Sequence, residues 1–257
     1  MNLLLLDAGH AKNTAGKKAP DNSFYEWDFN NKMQYKIKKR AEEHGIHVYL
    51  SNPTPETTSD IALTTRANKV NDYWKSKGKP KALMISLHAN AFQDDFNSAR
   101  GTETFVANNA STNSKNFAKD VNSSIVLAIK KIDSAAKDRG VKCKDWTVIQ
   151  KASMPSVLLE YAFYTNKADL NILKNHQDEL VEATVKSICK YFNVVYKAPT
   201  TAPTASNKPN NTTSSNNSTD NTMYAVCVGA YKDINNAKKM QQEMINKGYK
   251  DTYLIKR

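Results

Sequence analysis

Leu3-Leu4-Leu5-Leu6-Asp7-Ala8-Gly9-His10 opens a chain of 257 residues. Four leucines run directly into a carboxylate, two small residues and a histidine. The apolar run is too short to cross a membrane, and no basic segment precedes it, so it does not read as a secretory leader. It reads as a strand covered on both faces, the kind found inside a parallel sheet. Residues just beyond the carboxyl end of such a strand lie where open α/β sheets hold ligands. The position of His10 is therefore the first clue to function.

Outward from this strand, the pattern alternates. Phe29, Met33, Ile37 and Ala41 fall on one face of a helix over 26–44, and Gly45 stands where a helix C-cap belongs. A strand follows at 46–50. Leu63, Ala67, Val70 and Trp74 mark a second helix, and residues 82–87 a buried strand. A strand near the sheet edge is expected at 102–106. A helix should carry Phe117, Val121, Ala128 and Ile132, with strands at 146–149 and 157–159 and a last helix through Leu180, Val185 and Ile188. The fold class is α/β: a mainly parallel twisted sheet with helices on both faces, its parallel strand ends gathered along one edge.

This organisation stops at residue 197. Residues 197–222 are almost wholly Pro, Ser, Thr, Asn and Ala, a composition that cannot bury enough apolar surface to order itself. They read as a flexible linker between a domain of residues 1–196 and a small module of residues 223–257.

The formal net charge is +12, which points to a polyanionic partner such as a cell wall. No dense basic run or aromatic-interleaved basic face appears, so nucleic acid is not expected as a partner, and no stretch is long enough to be a transmembrane segment. Cys143, Cys189 and Cys227 are widely spaced, which argues against a disulfide framework or a cysteine-based metal site.

The candidate chemistry sits at the predicted strand ends. Asp7-Ala8-Gly9-His10 follows the first strand, His88-Ala89-Asn90-Ala91 follows the strand at 82–87, and Glu160 follows the strand at 157–159. Glu26 opens the first helix, three residues before Phe29 and seven before Met33, on the buried side of that helix. A buried carboxylate is costly unless paired or bound to a cation. Two histidines and one carboxylate make a catalytic zinc set, with three protein ligands and one open coordination position. The second carboxylate is then left to move protons. On these grounds either glutamate can fill either role. His44, His47 and His176 read as solvated.

In order along the chain, Asp7-Ala8-Gly9-His10, Glu26-Trp27-Asp28-Phe29-Asn30, Arg66-Ala67-Asn68, Ser86-Leu87-His88-Ala89-Asn90-Ala91, Arg139-Gly140-Val141-Lys142 and Pro155-Ser156-Val157-Leu158-Leu159-Glu160, with Phe163, Thr165 and Asn166, resemble the motifs of the amidase-3 family of zinc N-acetylmuramoyl-L-alanine amidases. The resemblance covers about residues 1–190. It implies a hydrolase that cuts the amide bond between N-acetylmuramic acid and the L-alanine of the peptidoglycan stem peptide. It further implies that His10, Glu26 and His88 bind Zn2+ and that Glu160 is the catalytic carboxylate. Ala11-Lys12 replaces the family's Gly-Gly, and Tyr161-Ala162 its Thr-Gly, which bears on substrate preference. A non-catalytic wall binder would have no need of Glu160; residue types alone do not separate the amidase from a zinc peptidase acting within the stem.

The tail, from Tyr224 to Tyr231 and then Ala237, Met240, Met244 and Gly248, resembles the first half of a sporulation-related repeat (SPOR) domain. Alternating Tyr224, Val226 and Val228 fit a strand over 224–228, and residues 234–247 fit an amphipathic helix; the resemblance implies a β-α-β module that binds peptidoglycan and is small enough to gain from pairing with a second copy. With no visible export signal, the expected route is synthesis in the cytoplasm and action on the wall after release through a holin lesion or cell lysis, as for a phage endolysin or an autolysin.

Overall fold

Strand and helix patterns assemble into a six-stranded sheet in the computed structural model, which describes residues 1–57, 59–199 and 233–246. The strands are β1 (Asn2–Ala8), β2 (His47–Leu50), β3 (Lys81–Asn90), β4 (Thr102–Val106), β5 (Asp138–Cys143) and β6 (Ser156–Phe163). Their order across the sheet is β2-β1-β3-β6-β4-β5. All neighbouring pairs are parallel except β4 with β6, so β4 and β5 run opposite to the other four strands.

The helices are α1 (Glu26–Glu43), α2 (Leu63–Ser76), α3 (Thr112–Lys130), α4 (Thr147–Gln150), α5 (Lys167–Asn175) and α6 (Gln177–Phe192). Strand alternation divides the four leucines of β1 between two cores. Leu4 and Leu6 join Met33, Ile37, Val121, Ile125 and Ile188 beneath α1, α3 and α6. Leu3 and Leu5 join Val70, Val148 and Ile149 beneath α2 and α4. All four are fully buried, each contributing about 1.5–3 kcal/mol by removal from water. This two-sided burial makes β1 a central strand and directs its carboxyl end to the sheet edge.

Three details differ from the sequence reading. Residues 146–149 are not a strand, because β5 already holds the place beside β4; Thr147–Gln150 forms the short helix α4 instead and still buries Val148 and Ile149. The stretch Asp138–Cys143, half of it charged and without an apolar alternation, is the edge strand β5. His44 is not solvated. It is 8% exposed, its Nδ1 lies 2.7 Å from the Arg40 carbonyl, and its Nε2 accepts the Lys197 backbone N–H at 2.9 Å. A carbonyl can only accept, so Nδ1 carries the proton and the imidazole is neutral.

Lys197 is also held by Arg40, whose Nη2 donates to its carbonyl. Most of the expected linker, and the expected strand over 224–228, lie outside the described residues. In the C-terminal unit the described part is helix α7 (Ile234–Asn246), where the Asp233 carboxylate accepts from the Asn235 and Asn236 backbone N–H groups. This agrees with the amphipathic helix expected over 234–247. Cys143 is exposed, Cys189 buried, and both are free thiols.

Beside the end of β1, the fully buried Asp7 carboxylate takes hydrogen bonds from Arg66, Ser51 and Ser86. Arg66 is itself buried and donates to the Ala8 carbonyl as well. Removing one partner of a buried pair strands the other charge, at a cost of about 3–5 kcal/mol. Arg66→Ala should therefore lower the thermal midpoint by about 10 °C, measured by circular dichroism. A midpoint within about 2 °C of the parent, well under the shift expected for such a loss, would refute this reading of the pair.

Candidate metal centre

Gly9 and His10 lie just past β1, and the backbone there is tied down from three sides. Asn30 of α1 donates to the Gly9 carbonyl, and Asn52 donates to the carbonyls of Ala8 and His10. The Gly9 N–H reaches the Leu87 carbonyl of β3. A Cβ on Gly9 would sit 2.1 Å from His88 Cε1, so only glycine lets the chain pass this close to the ring. His10 has φ 66°, a left-handed conformation that non-glycine residues seldom adopt and that surrounding structure must hold in place. The Asn52 bond to its carbonyl supplies part of that hold.

His10 Nε2 lies 3.4 Å from Glu26 Oε2. His88, in β3, places Nδ1 2.9 Å from Glu26 Oε1, which also accepts the Ala89 backbone N–H. The two imidazoles meet edge to face with centroids 5.1 Å apart. Glu26 is buried at the first position of α1. Burial pushes its carboxyl upward, but hydrogen bonds from His10 and His88, together with their charge, outweigh that and bring it down to about 2. Burial lowers the His88 imidazole, with Glu26 pulling the other way.

Glu160 lies within β6, in register with His88 of β3 on one side and Glu103 of β4 on the other. A register shift follows His88 and Glu160, a β-bulge of the kind that re-aims side chains beside active sites. Like charges directly opposite in a sheet repel, and here the surroundings separate their behaviour. Glu103 takes hydrogen bonds from Asn90 Nδ2 at 2.6 Å, Arg139 Nε at 2.7 Å and Lys142 Nζ. Burial would raise its carboxyl, but Lys142 and Arg139 hold it below the usual carboxylate range. Glu160 Oε2 is buried with no hydrogen-bond partner among the described residues. Burial, then the Glu26 and Glu103 carboxylates, push its carboxyl well above the usual range. Two neighbouring carboxylates with opposite tendencies are suited to different tasks.

One ligand atom each from His10, Glu26 and His88 lie within 4.8 Å of one another, the one such grouping among the described residues. Two imidazoles and a carboxylate suit a zinc ion, and Glu160 is the cross-strand neighbour of His88 in the register of β3 and β6. The residues present therefore fit the metal that the family resemblance implies. Of the four residues singled out by sequence, His10, Glu26 and His88 are grouped, and Glu160 is opposite His88 in the sheet register. Glu103, Asn90, Asn30 and Asn52 were not foreseen. Asn30 had a signal, being four residues after Glu26 on the apolar face of α1; Asn52, in a loop, had none.

Comparison with known proteins gives the chain a family and relatives. Residues 4–190 match the family model described as N-acetylmuramoyl-L-alanine amidase. The chain is 30% identical over 212 residues to the endolysin of Bacillus phage SPP1, covering 80% of this chain and 72% of that protein. It is 31% identical over 191 residues to the protein YqiI of Bacillus subtilis, covering 73% of this chain and 84% of that one. Its fold is similar to the crystal structure of an N-acetylmuramoyl-L-alanine amidase from Clostridium difficile 630, with TM-score 0.64 and 28% identity over 75% of this chain and 97% of that one.

The contact between Gly9 and His88 yields a direct test. In Gly9→Ala, the added methyl displaces the imidazole, and metal affinity should fall by roughly 10–100-fold, as when groups orienting a ligand are disturbed. Competition with a chromogenic chelator measures this. Unchanged affinity would mean that the close approach does not position His88.

Proposed function

The chain belongs to the N-acetylmuramoyl-L-alanine amidase family, and from that premise we propose that His10, Glu26 and His88 hold one zinc ion while Glu160 moves the protons of the reaction. The protein is a peptidoglycan hydrolase that cleaves the amide bond between N-acetylmuramic acid and L-alanine. The observation that carries the division of labour is the contrast between the two buried glutamates: Glu26 is clamped between two imidazoles, and Glu160 keeps an oxygen without a partner.

A zinc ion held by these residues would supply Lewis acidity toward the scissile carbonyl and make a water molecule more acidic. Glu160 accepts a proton from the water that attacks the amide carbon. It then returns the proton to the departing alanine nitrogen, so that a carboxylate on the lactyl group and a free amino terminus result. Burial and the neighbouring carboxylates raise the Glu160 carboxyl, which helps it hold the proton between the two transfers. Glu103, neutralised by Arg139 and Lys142, stays out of proton traffic.

The formal charge of +12 supports attraction to anionic wall polymers. Likeness to an endolysin supports action on the wall after release from the producing cell by a holin lesion or lysis. Pairing of two copies through the C-terminal module remains part of the same proposal, resting on its small size. Among the described residues no helix is long and apolar enough to cross a membrane.

Glu160→Gln should keep stoichiometric metal, yet release new amino termini from purified walls about 10²–10⁴-fold more slowly, the usual scale for loss of a general acid–base group. His88→Ala should instead lose the metal, as read by atomic absorption. A Glu160→Gln protein with near-parental turnover, or a His88→Ala protein with full metal content, would overturn the assignment.

A further inference from the structure

Glu103 is one carboxylate with two cations on it. Arg139 Nε and Lys142 Nζ both reach its Oε2, while its Oε1 already takes the Asn90 amide. One cation neutralises a buried carboxylate; the second leaves a surplus positive charge. Glu103 is buried, but the side chains of Arg139 and Lys142 are 35% and 40% exposed. Arg139 spends only Nε on Glu103, and its Nη1 and Nη2 donate to no group among the described residues. Its guanidinium lies over the Phe163 ring, 4.8 Å from the centroid, which fixes the plane of the fork. A fixed guanidinium with two free terminal nitrogens suits bidentate recognition of a carboxylate.

The location is informative. Glu103 is the cross-strand neighbour of Glu160, with about 5 Å between side-chain origins in such a pair. Arg139 is hydrogen-bonded to this neighbour of Glu160, a position that a peptide extended along the sheet edge by about two residues, ~7 Å, would come level with. In a stem peptide, the residue after L-alanine is a glutamate joined onward through its side chain, so its α-carboxyl group stands free or is amidated. We propose that Arg139 and Lys142 form a cationic subsite for that free α-carboxylate, and that this subsite sets which stem peptides the enzyme prefers. The inference rests on the amidase reading given above and adds a specificity determinant to it.

The test uses the full chain with two soluble muropeptides that differ only in whether this α-carboxyl group is free or amidated. The parent enzyme should show a KM for the free acid lower by about tenfold, as expected for a charge-assisted contact. In Arg139→Gln/Lys142→Gln the ratio of the two KM values should collapse toward unity, with KM for the free acid changing more than kcat. Lys142→Arg, which keeps the charge, should keep the ratio. A purely structural role in holding Glu103 would penalise both substrates alike and leave the ratio intact, and that outcome overturns the subsite. Cleavage of both muropeptides by the parent with equal KM also overturns it while leaving the amidase standing. Failure of the parent to cut either one at the muramyl–alanine bond rejects the amidase reading and the subsite with it.

Discussion

A carboxylate buried at the first residue of a helix has to be answered by something, and the molecule is arranged around the answer to Glu26. Its oxygens meet His10, His88 and the Ala89 N–H, so α1 is fastened to the ends of β1 and β3 by one acidic side chain. Left unpaired, such a charge would cost several kcal/mol. The apolar face of α1 cannot dock on the sheet without bringing Glu26 to this position, since Phe29 and Met33 on the same face are themselves buried. Docking of α1 therefore brings Glu26 to His10 and His88.

Much of this was legible from residue order. The tetraleucine strand, the helical spacing after Glu26 and the histidines at strand ends were enough to bring His10, Glu26, His88 and Glu160 to one edge. Burial on both faces and helical periodicity are local signals, and they transfer directly to the fold. What escaped had a different origin. Strand β5 is too charged to show alternation, because it lies at the rim and needs little apolar surface. Residues 146–149 look like a strand by composition, but whether an apolar run joins a sheet depends on an available edge, and β5 had taken it. His44 looked like a surface histidine because its neighbours in sequence are polar; its burial comes from Tyr196 and Lys197, some 150 residues away.

The same reasoning explains why Glu103 was overlooked. Searching beyond the carboxyl ends of strands presumes that every strand points the same way. With β4 reversed against β6, it is the beginnings of β4 and β5 that reach the catalytic edge. One reversal therefore brings a second set of side chains to this edge: Glu103 from β4 and Arg139 from the start of β5, with Lys142 reaching Glu103 from further along β5. The neutralised Glu103 beside the solitary Glu160 shows how one sheet gives two adjacent carboxylates separate characters through neighbours rather than through the residues themselves.

An open sheet has two outer strands whose unpaired amide and carbonyl groups invite annealing to another molecule. Here one outer strand, β2, is only four residues long. The other, β5, carries Asp138, Arg139 and Lys142 in a span of six residues. Charge density on that margin discourages stacking of one copy's sheet onto another's, which otherwise seeds fibrils. The cations beside the cleft thereby also act as gatekeepers of solubility, so an effort to retune the enzyme with greasier residues there would risk precipitation before it changed selectivity.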